Sequence, residues 1–367
     1  MAYLEIPNGP EDLTPAWLTQ ALRTRGAITT AAVASFDFQR IAQGVGFIGQ
    51  LVQLSMHYTL DEAGAPRSLI AKFPAAAAEN RALGNMFRFY ERETRFYEEI
   101  AAQSTLCTPH CYYSAIDSPA GRNILLLEDL APARVGDQVK GCTAPEAELA
   151  IQQLAQFHAA WWEHPRLSTF DWMPLWNDAG LVPLVQGVYQ QAWGPFLANF
   201  GDRLPAALLE VGQRLGACIA PMMDQLARPP RTIMHGDYRI DNLFFATTAE
   251  GMPLAVIDWQ ICARGRGVFD VAYLLSQSTP PALRQAEEMR LLRTYHRALI
   301  DHGVQGYTFE ECLLDYRRSI LFALVYPVIV CGSLDLANAR GHQLATVVLE
   351  RSVAAILDLN AAELLPQ

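Results

Sequence analysis

The residues best suited to chemistry lie in one polar loop within the stretch Met234-His-Gly-Asp-Tyr-Arg-Ile-Asp-Asn-Leu-Phe244. Asp237 and Asn242 belong to this loop, and Asp258 ends a second apolar run 21 residues after Asp237. Two acids and an amide that a hairpin brings together are hard oxygen ligands, which suit Mg²⁺ when phosphate oxygens complete its shell. One of the acids could instead contact a substrate hydroxyl. The pattern predicts a magnesium site.

A glycine motif precedes an alternating strand near the start of the chain. Gly44, Gly46 and Gly49 form the pattern GxGxxG, and apolar and polar residues alternate over 52–60. Period-two alternation indicates a half-buried strand, whereas a helix follows the glycines in dinucleotide-binding folds. The order favours a hairpin loop whose backbone N–H groups cover phosphates, with a plain hairpin turn as the alternative.

Two charged residues in otherwise apolar patterns, Lys72 and Glu93, follow the glycine motif. Lys72 is the one charge in a predicted strand over 68–73. Residues 79–103 have helical spacing, and Glu93 interrupts their apolar stripe. A buried acid needs a partner, because an unpaired buried charge is costly. The other stripe positions are Met86, Tyr90, Tyr97 and Ile100.

The remaining pattern predicts an α+β fold with a sheet-rich lobe and a helical lobe. Strand-like runs occupy 33–42, 111–116 and 123–127 in addition to those above. From Pro145 onward helices dominate, over about 145–163, 205–226, 281–302, 309–331 and 341–357. We expect an N-terminal nucleotide-binding lobe at 1–128 and a C-terminal catalytic, substrate-binding lobe at 129–367.

HGDxxxxN at 235–242 followed by the Ile-Asp-Trp of 257–259 resembles the aminoglycoside phosphotransferase-like kinases. The closer similarity is to the ecdysteroid kinase-like and choline kinase-like branches, and it extends over about 35–280. Protein kinases carry H-R-D-x-x-x-x-N and D-F-G at the equivalent places. The resemblance implies a protein kinase-like bilobal fold, with a small antiparallel sheet and one main helix in the N-lobe and a larger, mostly helical C-lobe.

The resemblance also assigns roles to the five candidate residues. Asp237 would be the catalytic acid that accepts or orients the proton of the acceptor hydroxyl. Asn242 and Asp258 would hold Mg²⁺. Lys72 would contact the α- and β-phosphates and Glu93 would pair with it, in agreement with the position of Glu93 in the apolar stripe.

Further positions rest on the same resemblance. Leu125–Leu130 is similar to the hinge of these kinases, where the backbone of Glu128 and Leu130 would bind the adenine edge; an ordinary strand end is the alternative. Asp270 resembles the helix acid that supports the catalytic loop from behind.

The polar residues around the loop have plainer interpretations. We expect a local salt bridge between Arg239 and Asp241. His235 is expected to hold the loop by a hydrogen bond, without acid–base work. His158 lies among aromatic residues and is interpreted as a core histidine with its hydrogen bonds satisfied.

The hypothesis for function is transfer of the γ-phosphate from ATP or GTP, with Mg²⁺, to a hydroxyl of a small molecule. Apolar pockets suit apolar ligands, so aromatic residues after 160 favour a lipophilic acceptor, steroid-like or hydroxyacyl, unless they are simply core. Three alternatives stay open: an aminoglycoside or choline-type kinase, a catalytically silent kinase-like nucleotide-binding protein, and a dinucleotide oxidoreductase. The aromatic residues are Trp161, Trp162, Phe170, Trp172, Trp176, Tyr189, Trp193 and Phe196.

Composition excludes several other classes. The 367 residues carry a net charge of -10, which argues against binding to nucleic acid or anionic lipid. No uninterrupted apolar stretch reaches the roughly 18 residues of a membrane span. Seven cysteines without a CxxC pair argue against a disulfide framework or a zinc ribbon. We expect a cytoplasmic protein that acts on a small molecule, and the sequence leaves its oligomeric state open.

Overall fold

The chain folds as two units, residues 1–133 and 134–367, which divide a few residues beyond the boundary suggested by the sequence. The structure is a computed structural model that describes residues 4–41, 48–247, 253–333 and 339–366. Gly44 and Gly46 therefore lie outside the described residues, and Gly49 lies within them.

The first unit contains α1 (Pro15–Thr24), β1 (Val33–Ile41), β2 (Gly49–Tyr58), β3 (Ser68–Pro74), α2 (Ala78–Met86), α3 (Phe89–Glu99), β4 (Cys111–Asp117) and β5 (Arg122–Glu128). Its five strands form one antiparallel sheet in the order β1-β2-β3-β5-β4. All five strands predicted from the sequence are confirmed. The alternation in β2 is confirmed as well, because Val52, Leu54 and Met56 are buried in the core beside α1.

The position of the glycine motif separates two fold classes. β1 and β2 pair as antiparallel neighbours on either side of it, and Gly49 is the first residue of β2. A dinucleotide-binding fold has a helix at this point and parallel strands. The dinucleotide oxidoreductase suggested by GxGxxG is therefore wrong.

The helix predicted over 79–103 is not continuous, because the structure has two helices there. α2 ends at Met86, and Arg88 adopts a left-handed conformation with φ of 56° before α3 begins. An L-residue in this region interrupts helical hydrogen bonding. Met86 is 56% exposed and does not belong to the buried stripe, whereas Glu93 of α3 is buried as expected.

The second unit is mostly helical, with short strands around the candidate site. Its helices are α4 (Ala144–Ala160), α5 (Leu181–Phe200), α6 (Ala206–Leu226), α7 (Val268–Ser278), α8 (Pro281–Asp301), α9 (Phe309–Ala323), α10 (Val325–Ser333) and α11 (Ala339–Asp358). Its strands are β6 (Arg134–Val135), β7 (Thr232–Met234), β8 (Leu243–Phe245), β9 (Leu254–Val256) and β10 (Ala263–Gly265).

The helix predictions for this unit need three corrections. The sequence pattern missed α5, which contains no charged residue and so lacks the polar stripe that reveals an amphipathic helix. It also missed α7, whose residues are all buried. The predicted helix over 309–331 is two helices, because α9 ends at Ala323 and α10 begins at Val325.

The short strands and α7 position the polar loop. β7 pairs with β10, and β8 pairs with β6 and β9, so that Leu243 lies opposite Val256. This register brings the ends of the two apolar runs together. Every residue of α7 is buried, which identifies it as the central helix of the unit.

Candidate active site

Lys72 and Glu93 form a buried ion pair in the first unit. Lys72 Nζ lies 2.8 Å from Glu93 Oε1 and 2.7 Å from Oε2, and the two side chains are 10% and 2% exposed. β3 supplies the lysine and α3 supplies the acid. The structure thus provides the partner that a buried Glu93 required.

Tyr90 connects this pair to the end of the glycine motif. Its hydroxyl donates to the carbonyl of Ile48 at 2.6 Å and accepts from the N–H of Ala75 at 3.1 Å. α3 therefore holds the start of β2, the end of β3 and Lys72 together. Sequence reasoning placed Tyr90 in the core stripe and missed its hydroxyl, although a tyrosine among apolar residues is itself a signal.

The hinge candidate has two backbone groups that are engaged within the first unit. The N–H of Glu128 donates to His110 O at 2.8 Å. The carbonyl of Leu130 accepts from the N–H of Ala133 at 2.8 Å. The segment is anchored by Asp129, which accepts from Gln53 Nε2 at 2.6 Å and which the sequence did not single out.

The polar loop at 235–242 places Asp237 among hydrogen-bond donors. Asn242 Nδ2 donates to Asp237 Oδ2 at 3.0 Å and to its carbonyl at 2.9 Å. Arg239 Nε donates to the same Oδ2 at 3.1 Å. One carboxylate oxygen is thus fixed by two donors, and the carboxylate has a defined orientation.

Tyr273 is a further neighbour of Asp237 that sequence reasoning missed. The helix α7 brings this buried phenol beside the carboxylate. Burial raises the pKa of Tyr273 well above its usual value, and the charge of Asp237 raises it further. Tyr273 therefore stays protonated and can only serve Asp237 as a donor.

His235 locks the loop to the second apolar run, as expected. Its Nδ1 accepts from the N–H of Asp237 at 3.2 Å, so the ring proton is on Nε2. Nε2 then donates to the carbonyl of Ile257 at 2.9 Å. Both ring nitrogens of His235 are thus engaged in contacts within the loop region, in line with a structural role.

Asp270 supports the loop from behind, also as expected. Its Oδ2 accepts from the N–H of His235 at 2.7 Å and its Oδ1 from the N–H of Gly236 at 2.8 Å. His158 Nε2 lies 3.3 Å from Asp270 Oδ2, and His158 Nδ1 lies 2.9 Å from Tyr295 Oη. These contacts confirm His158 as a core histidine with its hydrogen bonds satisfied. Asp270 is fully buried, and the two N–H groups and the imidazole are the contacts that stabilise its carboxylate.

Replacing Asp270 by asparagine should lower the free energy of unfolding by about 2–4 kcal/mol. The amide NH₂ would face one of the two backbone N–H groups and leave it without an acceptor. Urea unfolding followed by circular dichroism measures the change. Asp224, a half-exposed acid bonded to Arg228, is the matched control, and Asp224→Asn is expected to cost less than about 1 kcal/mol. Equal losses in the two variants would contradict the supporting role.

The residues around Asp258 fit a divalent cation. Both atoms that Asn242 Nδ2 contacts are oxygens, so the amide must present its NH₂ to Asp237 and its Oδ1 on the other side. The N–H of Ile257 donates to the Asn242 carbonyl at 3.0 Å, and Asp258 directly follows Ile257 in the chain. Asp258 has a φ of 66°, a strained conformation that concentrates at functional sites.

Three acids lie around one guanidinium near the loop, because the charges of Asp237, Asp241 and Asp258 all act on Arg239. Among the described residues no cluster of three or more His, Cys, Asp or Glu could hold a metal. An acid, an amide oxygen and the phosphates of a nucleotide are the set that Mg²⁺ accepts.

Arg239 differs from the sequence-based interpretation. The expected contact with Asp241 exists, at 3.4 Å, but Arg239 also contacts Asp237 at 3.1 Å. Burial would lower the pKa of the guanidinium, and the charge of Asp237, with smaller effects of Asp241 and Asp258, raises it instead. The spacing Asp-x-Arg in the sequence could have indicated the contact between Asp237 and Arg239.

Most of the aromatic residues after 160 are core. Among them only Trp162 and Trp193 are partly exposed, and the others are buried in ring contacts such as that of Trp176 with Phe269, with centroids 4.2 Å apart. The buried ones are Trp161, Phe170, Trp172, Trp176, Tyr189 and Phe196.

The chain belongs to the ecdysteroid kinase-like family, whose sequence profile matches residues 43–162 and 177–305. This family and the solved structures of similar fold are kinases and phosphotransferases. A chicken (Gallus gallus) protein, acyl-CoA dehydrogenase family member 11, is 40% identical over 63 residues, which are 14% of this chain and 8% of that protein. The match thus spans only a small part of this relative.

Solved structures share the fold at low identity. A candidate aminoglycoside phosphotransferase from Ralstonia eutropha is 15% identical with a TM-score of 0.55, and the match covers 95% of this chain and 98% of that one. The GDP complex of a point variant of aminoglycoside 2'-phosphotransferase-IIIa is 14% identical with a TM-score of 0.55, covering 95% and 100%. These likenesses establish the protein kinase-like α+β fold expected from the sequence. In the part of the chain that the structure describes, no helix combines the length and the apolar character needed to cross a bilayer.

Proposed function

We propose that this protein transfers the γ-phosphate of ATP or GTP, with Mg²⁺, to a hydroxyl group of a small lipophilic molecule. The observation that carries the proposal is the arrangement of Asp237, Asn242 and Asp258 at the ends of β8 and β9, supported by Asp270. In this proposal the buried Lys72–Glu93 pair of the first unit would hold the phosphates of the nucleotide. Such an arrangement is suited to phosphoryl transfer, where positioning and charge neutralisation provide the catalysis.

Each side chain has a defined task in this proposal. Asp237 receives the acceptor hydroxyl and takes its proton as the oxygen attacks phosphorus. Asn242 and Asp258 would hold Mg²⁺, which neutralises charge on the phosphates when it is bound. Glu93 orients Lys72 toward the α- and β-phosphates.

The hinge would bind the base through the Glu128 carbonyl and the Leu130 N–H. An acceptor followed by a donor can meet the edge of adenine, and with a shifted register it can meet the edge of guanine. Both nucleotides therefore remain part of the proposal. Gly49, together with Gly44 and Gly46, would cover the phosphates.

The acceptor preference follows from two uncharged helices. α5 and α10 contain no Asp, Glu, Lys or Arg, and they pack against each other. Tyr326 of α10 contacts Tyr273 with ring centroids 4.8 Å apart, and Tyr273 lies beside Asp237. α10 therefore begins close to the catalytic acid, and its Val330 is 37% exposed. Apolar walls without carboxylates favour an uncharged, steroid-like or hydroxyacyl alcohol over an aminoglycoside or choline.

A phosphorylation screen tests the proposal. The protein is incubated with ATP or GTP, Mg²⁺ and a library of steroid alcohols, hydroxyacyl thioesters, aminoglycosides and choline, and mass spectrometry detects an added phosphate. We expect transfer to an uncharged lipophilic alcohol that stops when a chelator removes Mg²⁺. The Asp237→Asn protein is the control for contaminating kinases.

Each other outcome has a definite meaning. Phosphate on an aminoglycoside or on choline would replace the acceptor class and keep the reaction. Nucleotide binding without transfer to any compound would identify a catalytically silent binding protein. From the composition of the chain we also propose that the reaction takes place in the cytoplasm.

A further inference from the structure

The segment over 137–142, called the strap here, lies between the catalytic loop and the C-terminal helix α11. It connects β6 to α4. At its far end, Gly141 has a φ of +83°, and a Cβ there would come within 2.9 Å of Ser278 O and 3.0 Å of Arg351 Nη2. The strap therefore fits closely against α7 and α11, and its position is sensitive to both.

Gln138 of the strap contacts the catalytic loop in two ways. Its N–H donates to Asp241 Oδ1 at 2.6 Å, and its side-chain Oε1 accepts from Arg239 Nη1 at 3.0 Å. Arg239 uses its Nε to hold Asp237 Oδ2 at 3.1 Å. The placement of Gln138 thus determines where the guanidinium that orients Asp237 can lie.

Arg351 of α11 holds the strap from the opposite side. Its Nη1 donates to Gln138 O at 2.6 Å and to Gln277 O at 3.1 Å, and its Nη2 donates to Val139 O at 3.1 Å. The residue is 6% exposed. In the described part of the chain no carboxylate lies within 4.0 Å of it, so neutral carbonyls alone receive its charge.

This arrangement is an unusual use of a buried charge. Desolvation of an arginine without a counter-ion is costly, and a packed apolar side chain at the same place is often as stabilising or more so. What the planar guanidinium provides is geometry, because it fixes several acceptors at once. Here the acceptors belong to the strap and to α7, the helix that also carries Asp270 and Tyr273.

We infer that Arg351 is a positioning residue for phosphoryl transfer, acting through Gln138 and Arg239 on the carboxylate of Asp237. The inference rests on the proposed function. Small displacements of a catalytic group lower rates strongly, and a shift of about 1 Å can cost about 10²-fold. The C-terminal helix is therefore part of the catalytic machinery without touching substrate.

Hydrogen–deuterium exchange tests the contact path without any need for activity. In the full-length protein, Arg351→Lys and Gln138→Ala should each speed amide exchange in the catalytic loop over 235–243, by about tenfold. Arg284→Lys is the matched control: this arginine is also buried and also contacts α11, through Asp358, but it lies outside the path. It should destabilise the protein and leave exchange in the loop unchanged relative to global exchange.

Kinetics tests the consequence for catalysis, with Mg²⁺-dependent release of inorganic phosphate from ATP as the reaction. Arg351→Lys should lower kcat by about tenfold with the KM for ATP within about twofold. In the Gln138→Ala background the same substitution should cost less than about threefold, because part of the path is already broken. Arg284→Lys should leave kcat unchanged at a temperature where all variants are folded.

The outcomes separate the inference from the proposed function. Loop exchange that is identical in wild type and in both strap variants would overturn the positioning role whatever the activity. Faster loop exchange with an unchanged kcat in an active protein would overturn it as well. A wild-type protein without phosphate release would contradict the proposed function, and the exchange experiment would still decide whether Arg351 orders the loop.

Discussion

Replacing Asp237 by asparagine is expected to lower kcat by about 10³-fold while the affinity for nucleotide stays within about threefold. Asparagine has the shape of the aspartate and still offers an oxygen to Asn242 Nδ2 and Arg239 Nε, so the loop should keep its geometry. It cannot take a proton from the attacking hydroxyl. Initial rates on the acceptor found in the screen, together with calorimetric titration of nucleotide, measure the two quantities.

Asp241 provides the matched control for this experiment. It contacts the same guanidinium at 3.4 Å and lies in the same loop, but it has no proposed contact with the acceptor. Asp241→Asn is expected to reduce kcat by no more than about tenfold, through the altered position of Arg239. If Asp237→Asn kept substantial turnover, or if both variants lost activity equally, Asp237 would not be the base.

Replacing Lys72 by methionine is expected to affect both catalysis and stability. Loss of a positive charge on the phosphates should lower kcat/KM for nucleotide by about 10²-fold. Glu93, 2% exposed, would lose its lysine partner, which should lower the free energy of unfolding by about 3–5 kcal/mol. Steady-state rates and urea unfolding measure the two losses.

The double variant Lys72→Met with Glu93→Gln separates these effects. Neutralising both partners removes the buried charge that has lost its lysine, so most of the stability should return. Activity should stay as low as in the single variant, because the phosphates still lack the lysine. Recovery of activity together with stability would show that Lys72 has only a structural role.

The residues that could be predicted from the sequence are those that differ in character from their immediate neighbours in the chain. The loop at 235–242, the strand of Lys72 and the acid in the α3 stripe could be recognised because charged residues stand out in apolar surroundings. The pairing of Lys72 with Glu93 and the support of the loop by Asp270 came from the family resemblance, and the place of Glu93 in the apolar stripe agreed with that pairing because a buried acid needs a partner.

The parts that were missed depend either on a particular backbone conformation or on contacts between distant segments. The helix break at Arg88 depends on a local backbone conformation that composition does not encode. The aromatic residues after 160 could equally line a pocket or fill a core until their neighbours were known. Gln138 and Arg351 are 213 positions apart, and neither has a pattern around it that indicates a role.

The most direct test of the account is a crystal structure of this protein with an unreactive ATP analogue and Mn²⁺ in place of Mg²⁺. Anomalous scattering locates the metal independently of the protein. We expect one metal peak bound by Asp258 and by Asn242 Oδ1, with Lys72 on the phosphates and Asp237 facing the γ-phosphate. A metal bound elsewhere, or a nucleotide whose phosphates contact neither Lys72 nor the Asp258 region, would contradict the assignment of these residues to phosphoryl transfer.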